Sequence, residues 1–260
     1  MRLPAAFILM LSLALTACGD GENQDVSDGG SQPTTLTVYA AASLTKTFER
    51  IGEEFETQHE GVQVEFSFGG SSDLVAQIQE GAPADVVASA DQANMDKLAD
   101  LEGQDPQDFA TNSLQIAVAP DNPLGVAGLS DLTGNGVKLV TCAPEVPCGA
   151  AAQKAAEAAG VELTPVSEEQ SVTDVLGKVT SGEADAGLVY VTDVIGAEGA
   201  VLGIDFPEAD AAVNTYPITT VEGNDSGDLA AEFVDLVVGE EGQSILREAG
   251  FAAPPPGSRP

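Results

Sequence analysis

The fold is decided by the stretch TLTVYAAASLTKTFERIGEEFETQHEGVQVEFSF, residues 35–68. It opens with Thr35–Ala40, whose β-branched and aromatic side chains predict a strand. A helical pattern follows, with its apolar residues on one face: Leu44, Phe48, Ile51 and Phe55. After Gly61, the run Val62–Phe68 alternates as a second strand. A strand, a helix and a second strand in this order predict a parallel sheet that is covered by helices.

The same alternation continues through the rest of the chain. Further strands are predicted at Asp85–Ser89, Leu114–Ala119, Val137–Thr141, Val161–Val166, Ala186–Tyr190 and Pro217–Val221. The pattern predicts an α/β protein with two lobes, each a mostly parallel sheet flanked by helices. We predict the first lobe from residues 34–116 and 218–260 and the second from residues 117–217. A ligand would bind in the cleft between them.

The chain is strongly acidic. Of its 260 residues, 42 are Asp or Glu and 9 are Lys or Arg, for a formal charge of −33. Nucleic acid is excluded as a partner because phosphate binding needs clustered positive charge. An anionic membrane surface would not attract the chain either. With one histidine, His59, and three cysteines, a zinc site or an imidazole-based catalytic centre is hard to assemble.

The amino terminus has the pattern of a secretory signal peptide, predicted over residues 1–17. Arg2 precedes a short apolar run that ends in Leu-Thr-Ala before Cys18. This order resembles a bacterial lipobox, so Cys18 is the predicted lipid anchor; an ordinary signal with an incidental cysteine is the alternative. Residues 18–33 are mostly polar and predict a flexible tether. Removal of residues 1–17 takes away one charge, that of Arg2, and leaves −34.

Two cysteines remain, Cys142 and Cys148 in the segment TCAPEVPCG. Export implies an oxidising compartment, so we predict a disulfide between them. A reactive dithiol is the alternative, but the spacing is not C-x-x-C.

Small or hydroxyl-bearing residues recur where a predicted strand meets a helix. These junctions are at Ser43, Ser71, Cys148-Gly149 and Ser171-Val172. Helix starts present unpaired N–H groups and the positive end of the helix dipole, so they bind anions without a cation. Each serine has a simpler interpretation as an N-cap. Tyr190, at the end of a strand, could equally be a core residue.

Several motifs carry a family resemblance that is colinear from Leu36 to Phe251. They are Val38–Thr45 (VYAAASLT), Gly81–Val86 (GAPADV), Ser89–Gln92 (SADQ), Gly187–Tyr190 (GLVY), Tyr216-Pro217 and Val221–Gly223 (VEG). Together they resemble the substrate-binding proteins of molybdate ABC importers. The resemblance implies a two-lobed periplasmic-binding-protein fold of type II. It also implies a binding function and not an enzymatic one.

The resemblance also implies a site. The family binds tetrahedral molybdate or tungstate through neutral donors, and the matching positions are the hydroxyls of Ser43 and Ser71, the backbone N–H groups of Cys148 and Val172, and the Tyr190 phenol. Gly70 stands where relatives often have serine, which leaves either Ser71 or Ser72 as the second hydroxyl donor. We expect no cofactor, no catalytic residue and no metal held by side chains, since the molybdenum or tungsten arrives as an oxyanion.

The expected partners are the oxyanion, the membrane permease of an ABC importer, and the membrane through the lipid on Cys18. We expect an extracytoplasmic monomer anchored to the cell membrane. Lys46 follows Ser43 closely, and we expect its side chain to point away from the site along the helix.

Three alternatives stay open. A receptor for sulfate or phosphate is the nearest. A secreted serine hydrolase would use Ser43 or Ser71, but it needs a base and the chain has no G-x-S-x-G elbow. A cation binder would use the acidic surplus, which is scattered over predicted helix faces.

Overall fold

The structure, a computed structural model, describes residues 34–134, 136–223 and 226–255. The predicted signal peptide (1–17), the lipid-anchor residue Cys18 and the tether (18–33) lie outside this range. Within it, every helix is too short or too polar to cross a membrane.

Strands and helices alternate along most of the chain. The strands are β1 (Thr34–Ala41), β2 (Val62–Gly69), β3 (Val86–Ala88), β4 (Gln107–Asn112), β5 (Leu114–Val118), β6 (Leu139–Cys142), β7 (Ser167–Glu169), β8 (Ala186–Tyr190), β9 (Leu202–Ile204) and β10 (Asn214–Thr220). The α-helices are α1 (Thr45–Gln58), α2 (Ser71–Gln79), α3 (Gln92–Met95), α4 (Pro147–Ala159), α5 (Val172–Thr180), α6 (Val191–Gly196), α7 (Gly227–Val238) and α8 (Glu240–Glu248). Short 3₁₀ helices cover Ala42–Leu44, Asp96–Leu98, Leu129–Thr133 and Pro207–Ala212.

The strands form two five-stranded sheets with matching arrangements, β2-β1-β3-β10-β4 and β7-β6-β8-β5-β9. In the first sheet β2, β1 and β3 are parallel, and β10 runs antiparallel to both of its neighbours. In the second sheet β7, β6 and β8 are parallel, and β5 is the reversed strand. The predicted two-lobed α/β fold is confirmed, with one reversed strand in each mostly parallel sheet.

The chain passes between the sheets at Ser113 and Val213. Because β5 pairs wholly in the second sheet and β10 wholly in the first, both crossings fall a few residues before the predicted lobe boundaries at 116/117 and 217/218. The strands β4 and β9 are absent from the sequence prediction. The strand predicted at Val161–Val166 was placed too early, since β7 pairs with β6 through Ser167–Glu169. We refer to residues 34–112 with 214–255 as the first lobe, and to residues 114–212 as the second.

Each lobe has its own core. In the first lobe, Phe48, Ile51 and Phe55 of α1 are fully buried and pack with Phe233 of α7. Each such aromatic or aliphatic side chain contributes roughly 1.5–3 kcal/mol on burial. In the second lobe, the alanine-rich helix α4 packs against β6. These rigid cores hold the strand ends and helix starts that form the pocket described next.

Candidate functional site

A small pocket lies between the lobes, where strands end and helices begin. It is lined by Ala41, Ala42, Ser43, Gly69, Gly70, Ser71, Ala90, Val146, Pro147, Cys148, Val172 and Tyr190. The cavity has a volume of about 10 Å³, roughly the room of one bound water. None of the described residues that line it carries a charge. The pocket suits a compact ligand that is held by neutral groups.

All the residues that we predicted as ligand-binding line this pocket. The polypeptide brings Ser43 and Ser71 from the first lobe and Cys148, Val172 and Tyr190 from the second. Ser71 and Val172 are the first residues of α2 and α5, and Cys148 is the second residue of α4. Three helix amino termini, with their positive dipole ends, therefore meet at one small space.

Ser43 lies just after β1, in the 3₁₀ turn that leads into α1. Its hydroxyl is 2.9 Å from the hydroxyl of Tyr216, which comes from β10 at the far end of the sequence. Ser43 makes no side-chain cap for the turn or for α1. Its simpler interpretation as an N-cap is therefore wrong.

Ser71 is buried, and its Oγ accepts a hydrogen bond of 2.9 Å from the backbone N–H of Ala90. Because this bond uses the oxygen as an acceptor, the hydroxyl hydrogen remains available for a ligand. The Oγ of Ser72 is also buried and has no partner in the described part of the chain. Ser71 lines the pocket and Ser72 does not.

The backbone N–H groups of Cys148 and Val172 are free to donate to a ligand. Within the described ranges neither donates to a backbone or side-chain acceptor, whereas Gly149 and Ala150 already bond to the carbonyl of Val146. No side chain of a described residue caps the start of α2 or α4. The unpaired N–H groups at these helix starts are therefore available to a ligand.

The other helix start at the pocket is capped. Ser171 is the N-cap of α5, and its Oγ accepts from the N–H of Asp174 at 3.2 Å. For Ser171 the simpler interpretation, that the serine is a helix N-cap, is confirmed. The cap leaves the N–H of the following residue, Val172, facing the pocket region.

Cys142 and Cys148 form a disulfide with a Cα–Cα distance of 5.6 Å. The bond ties the end of β6 to the first turn of α4. It fixes the helix start that presents the Cys148 N–H.

Tyr190 ends β8 and is almost completely buried, with 1% of its surface exposed. Its hydroxyl meets no atom of a described residue with good hydrogen-bond geometry, although the Tyr216 hydroxyl lies close enough to interact with it. Burial, reinforced by Tyr216 and Asp193 nearby, raises the pKa of the phenol well above its usual value. The phenol is therefore neutral, and its O–H can donate to a group in the pocket.

Asp193 is a buried acid beside the site that the sequence analysis missed. Its carboxylate accepts a 2.9 Å hydrogen bond from the N–H of Tyr190 and so caps α6. Burial raises the pKa of the carboxyl from 3.8 to about 7, although the Tyr190 N–H acts in the opposite direction. Nothing in the sequence separates Asp193 from the other acids, since only the fold buries it.

The two lobes are in close contact around the pocket. A Cβ atom at Gly70 would lie 2.1 Å from the backbone carbonyl oxygen of Gln170 in the second lobe. Lys46 does not line the pocket, as expected, but its ammonium group reaches the carbonyl of Gly196 in the second lobe at 2.7 Å. The two lobes thus meet at Gly70 and at Lys46.

The hydrolase and cation-binding alternatives lack the groups that they need. His59 bonds through its ring nitrogens to the Phe55 carbonyl (2.9 Å) and to Glu232 (2.8 Å), and it is not part of the pocket. It cannot serve Ser43 or Ser71 as a base. Across residues 34–134, 136–223 and 226–255, no three His, Cys, Asp or Glu side chains converge to hold a metal ion.

Two lobes that close over a pocket of neutral donors define a solute-binding protein. A model of the family described as bacterial extracellular solute-binding protein matches residues 36–252. The chain belongs to this family.

Several similar proteins of known ligand are molybdate-binding proteins. The molybdate-binding protein of Mycobacterium tuberculosis is 45% identical over 248 residues, covering 94% of this chain and 95% of that protein. The molybdate-binding protein of Escherichia coli is 34% identical, covering 83% and 88%. The periplasmic molybdate-binding protein of Azotobacter vinelandii has the same fold, with a TM-score of 0.73 at 23% identity over 85% of this chain and 100% of that one. The predicted kinship with molybdate-binding proteins is confirmed, and these relatives are binding proteins and not enzymes.

Proposed function

We propose that this chain is the extracytoplasmic receptor of an ABC importer and that it binds molybdate or tungstate in the interlobe pocket. The observation that carries the proposal is the donor set. The pocket is uncharged and is lined by Ser43, Ser71, Tyr190, Cys148 and Val172, in a chain related to molybdate-binding proteins. We assign as donors the three hydroxyls and the N–H groups of Cys148 and Val172.

Neutral donors explain how a chain of charge −33 would hold a dianion. Distant surface charges are screened over about 8 Å at physiological salt. Oriented dipoles in a desolvated pocket act at contact distance. A site made of N–H and O–H donors also disfavours a ligand that carries its own O–H, because that hydrogen finds only hydroxyl oxygens as acceptors. The proposed ligand is therefore a fully ionised tetrahedral oxyanion.

A thermal-shift panel tests the proposal. The domain from residue 34 onward is melted alone and with equal concentrations of molybdate, tungstate, sulfate and phosphate. We expect molybdate or tungstate to raise the Tm, because a ligand that binds only the folded state stabilises it by mass action. A shift with sulfate or phosphate alone would instead identify a receptor for that anion.

We further propose that the receptor acts as a monomer beside a membrane permease and that a lipid on Cys18 anchors it. The order Leu-Thr-Ala-Cys after the apolar run supports the anchor. Cys18→Ser should move the protein from the membrane fraction to the soluble one. If the variant stays with the membrane after a salt wash, the lipid anchor is wrong.

A further inference from the structure

The Ser43 hydroxyl belongs to a chain of buried polar groups that extends beyond the pocket. The hydroxyl of Tyr216 is 2.9 Å from Ser43 Oγ and 3.5 Å from Asn112 Nδ2. Asn112 Nδ2 also donates to the Thr192 hydroxyl in the second lobe at 2.8 Å. All of these groups except Ser43 are buried, so water does not compete for them.

The direction of these hydrogen bonds follows from Asn112. Its side-chain oxygen accepts from the N–H of Ser113 at 3.1 Å, so its NH₂ group must face Thr192 and Tyr216. An amide NH₂ only donates, and the Tyr216 oxygen is therefore an acceptor toward Asn112. Either hydroxyl of the Ser43–Tyr216 pair could donate; because the Tyr216 oxygen accepts from Asn112, its hydrogen is left to donate, and Ser43 Oγ is an acceptor 2.9 Å away.

We infer that Tyr216 is a positioning residue that fixes Ser43 as a hydrogen-bond donor to the bound anion. Since Ser43 Oγ accepts from Tyr216, its own hydrogen has no place in the buried chain and points to the pocket. A hydroxyl that already accepts a hydrogen bond is also a stronger donor, because successive bonds polarise one another. The inference rests on the proposed function. It adds a reason why the site would select a fully ionised anion over one that carries an O–H.

The test is a double-mutant cycle on the domain from residue 34 onward, read by calorimetric titration with sodium molybdate. Tyr216→Phe keeps the ring and removes the hydroxyl. It should weaken binding by about 3- to 10-fold, the effect of one neutral hydrogen bond. In a Ser43→Ala background the same change should have almost no effect, because the group through which Tyr216 acts is gone.

A packing role would give a different result. If Tyr216→Phe only loosens the core, it weakens binding equally with and without Ser43, and the inference is overturned. No weakening in either background also overturns it. Tyr39→Phe is the matched control, the same chemical change at a buried tyrosine that does not line the pocket, and it should leave binding unchanged.

Selectivity gives an independent measurement. Every form of phosphate at pH 7 carries an O–H, which needs an acceptor in the site. Without Tyr216 the Ser43 hydroxyl is free to rotate and to accept, so Tyr216→Phe should weaken phosphate less than molybdate. Equal weakening of both anions contradicts the inference. A wild-type domain that binds none of the four oxyanions overturns the proposed function itself, and this is seen before any variant is made.

Discussion

The ammonium group of Lys46, in the first helix of the first lobe, lies 2.7 Å from the backbone carbonyl oxygen of Gly196 in the second lobe. The same ammonium is 3.6 Å from the carboxylate of Glu198. Lys46 therefore joins the lobes without touching the ligand pocket. An interaction that exists only when the lobes meet favours the closed state and so contributes to affinity indirectly.

Lys46→Ala should weaken molybdate binding modestly. The pair is exposed, with 69% and 84% of the two side-chain surfaces accessible, so the loss should not exceed about 5-fold. The measurement is calorimetric titration at low and high salt, and the difference should shrink as salt rises. Lys178→Ala is the matched control, since its partner Glu183 lies in the same lobe. Equal effects of the two variants would exclude a role in closure.

Gly70→Ala should impair binding while leaving the ligand-free protein stable. The backbone of Gly70, at φ −63° and ψ 136°, is open to any residue, so the constraint is space and not conformation. An added Cβ would overlap the Gln170 carbonyl only when the lobes are together. Overpacking of about 1–3 kcal/mol would weaken binding by roughly 5- to 150-fold.

The control for this prediction is Gly128→Ala, where an added Cβ meets no described atom within 4 Å. Titration and ligand-free melting are measured on both variants. If Gly70→Ala also clearly lowers the melting temperature of the ligand-free protein, the contact stabilises the fold in general and is not specific to the closed, ligand-bound arrangement.

Ser43→Ala and Ser71→Ala should each weaken oxyanion binding by roughly 10- to 100-fold, because a hydrogen bond to a charged group contributes about 1.5–3 kcal/mol. Tyr190→Phe should cost no more, since the ring still shapes the pocket. Ser72→Ala should have little effect, because Ser72 does not line the pocket. If Ser72→Ala weakens oxyanion binding and Ser71→Ala does not, the second hydroxyl donor is Ser72.

Removing the disulfide should affect stability more than binding. Cys142→Ala with Cys148→Ala opens a short loop that contributes about 2 kcal/mol in the loop-entropy model. The melting temperature should fall, while the backbone N–H at position 148 remains and keeps most of the affinity. Complete loss of binding in a variant that still melts cooperatively would show that the bond itself shapes the site.

The raised pKa of Asp193 should make folding stability depend on pH. Below pH 3.8 the carboxyl is neutral in both folded and unfolded chains. Between this value and about 7 only the unfolded chain releases the proton. The contribution of Asp193 to folding stability therefore falls across this window and is level above it.

Asp193→Asn should remove this component, because an amide oxygen can still accept from the Tyr190 N–H. The advantage of the variant in unfolding free energy should grow from about pH 4 to about pH 7 and then stay constant. Urea unfolding at several pH values measures it. A difference that does not change with pH would mean that the carboxyl titrates normally.

The sequence predicted the alternation of strands and helices and the residues at the pocket. The strands that it missed, β4 and β9, lack the alternating pattern on which the prediction depends. Ser43, Ser71 and Tyr190 were found through the family resemblance, since each has a simpler local interpretation. The sequence assigned no role to Tyr216 or Asp193. The hydrogen bond between Ser43 and Tyr216 joins distant parts of the chain, so only the tertiary fold creates it. Likewise, only the fold selects Asp193 for burial from among the 42 acids.

The two crossings of the chain determine the order in which the lobes can be completed. The second lobe is one uninterrupted segment, so a chain that leaves an export channel amino terminus first has released all of it by residue 213. The first lobe still lacks β10, the strand that lies between β3 and β4. Loss of the segment from Asn214 onward would therefore split the first sheet and leave the second whole. The lobe that begins the chain is therefore the last to have all of its strands available.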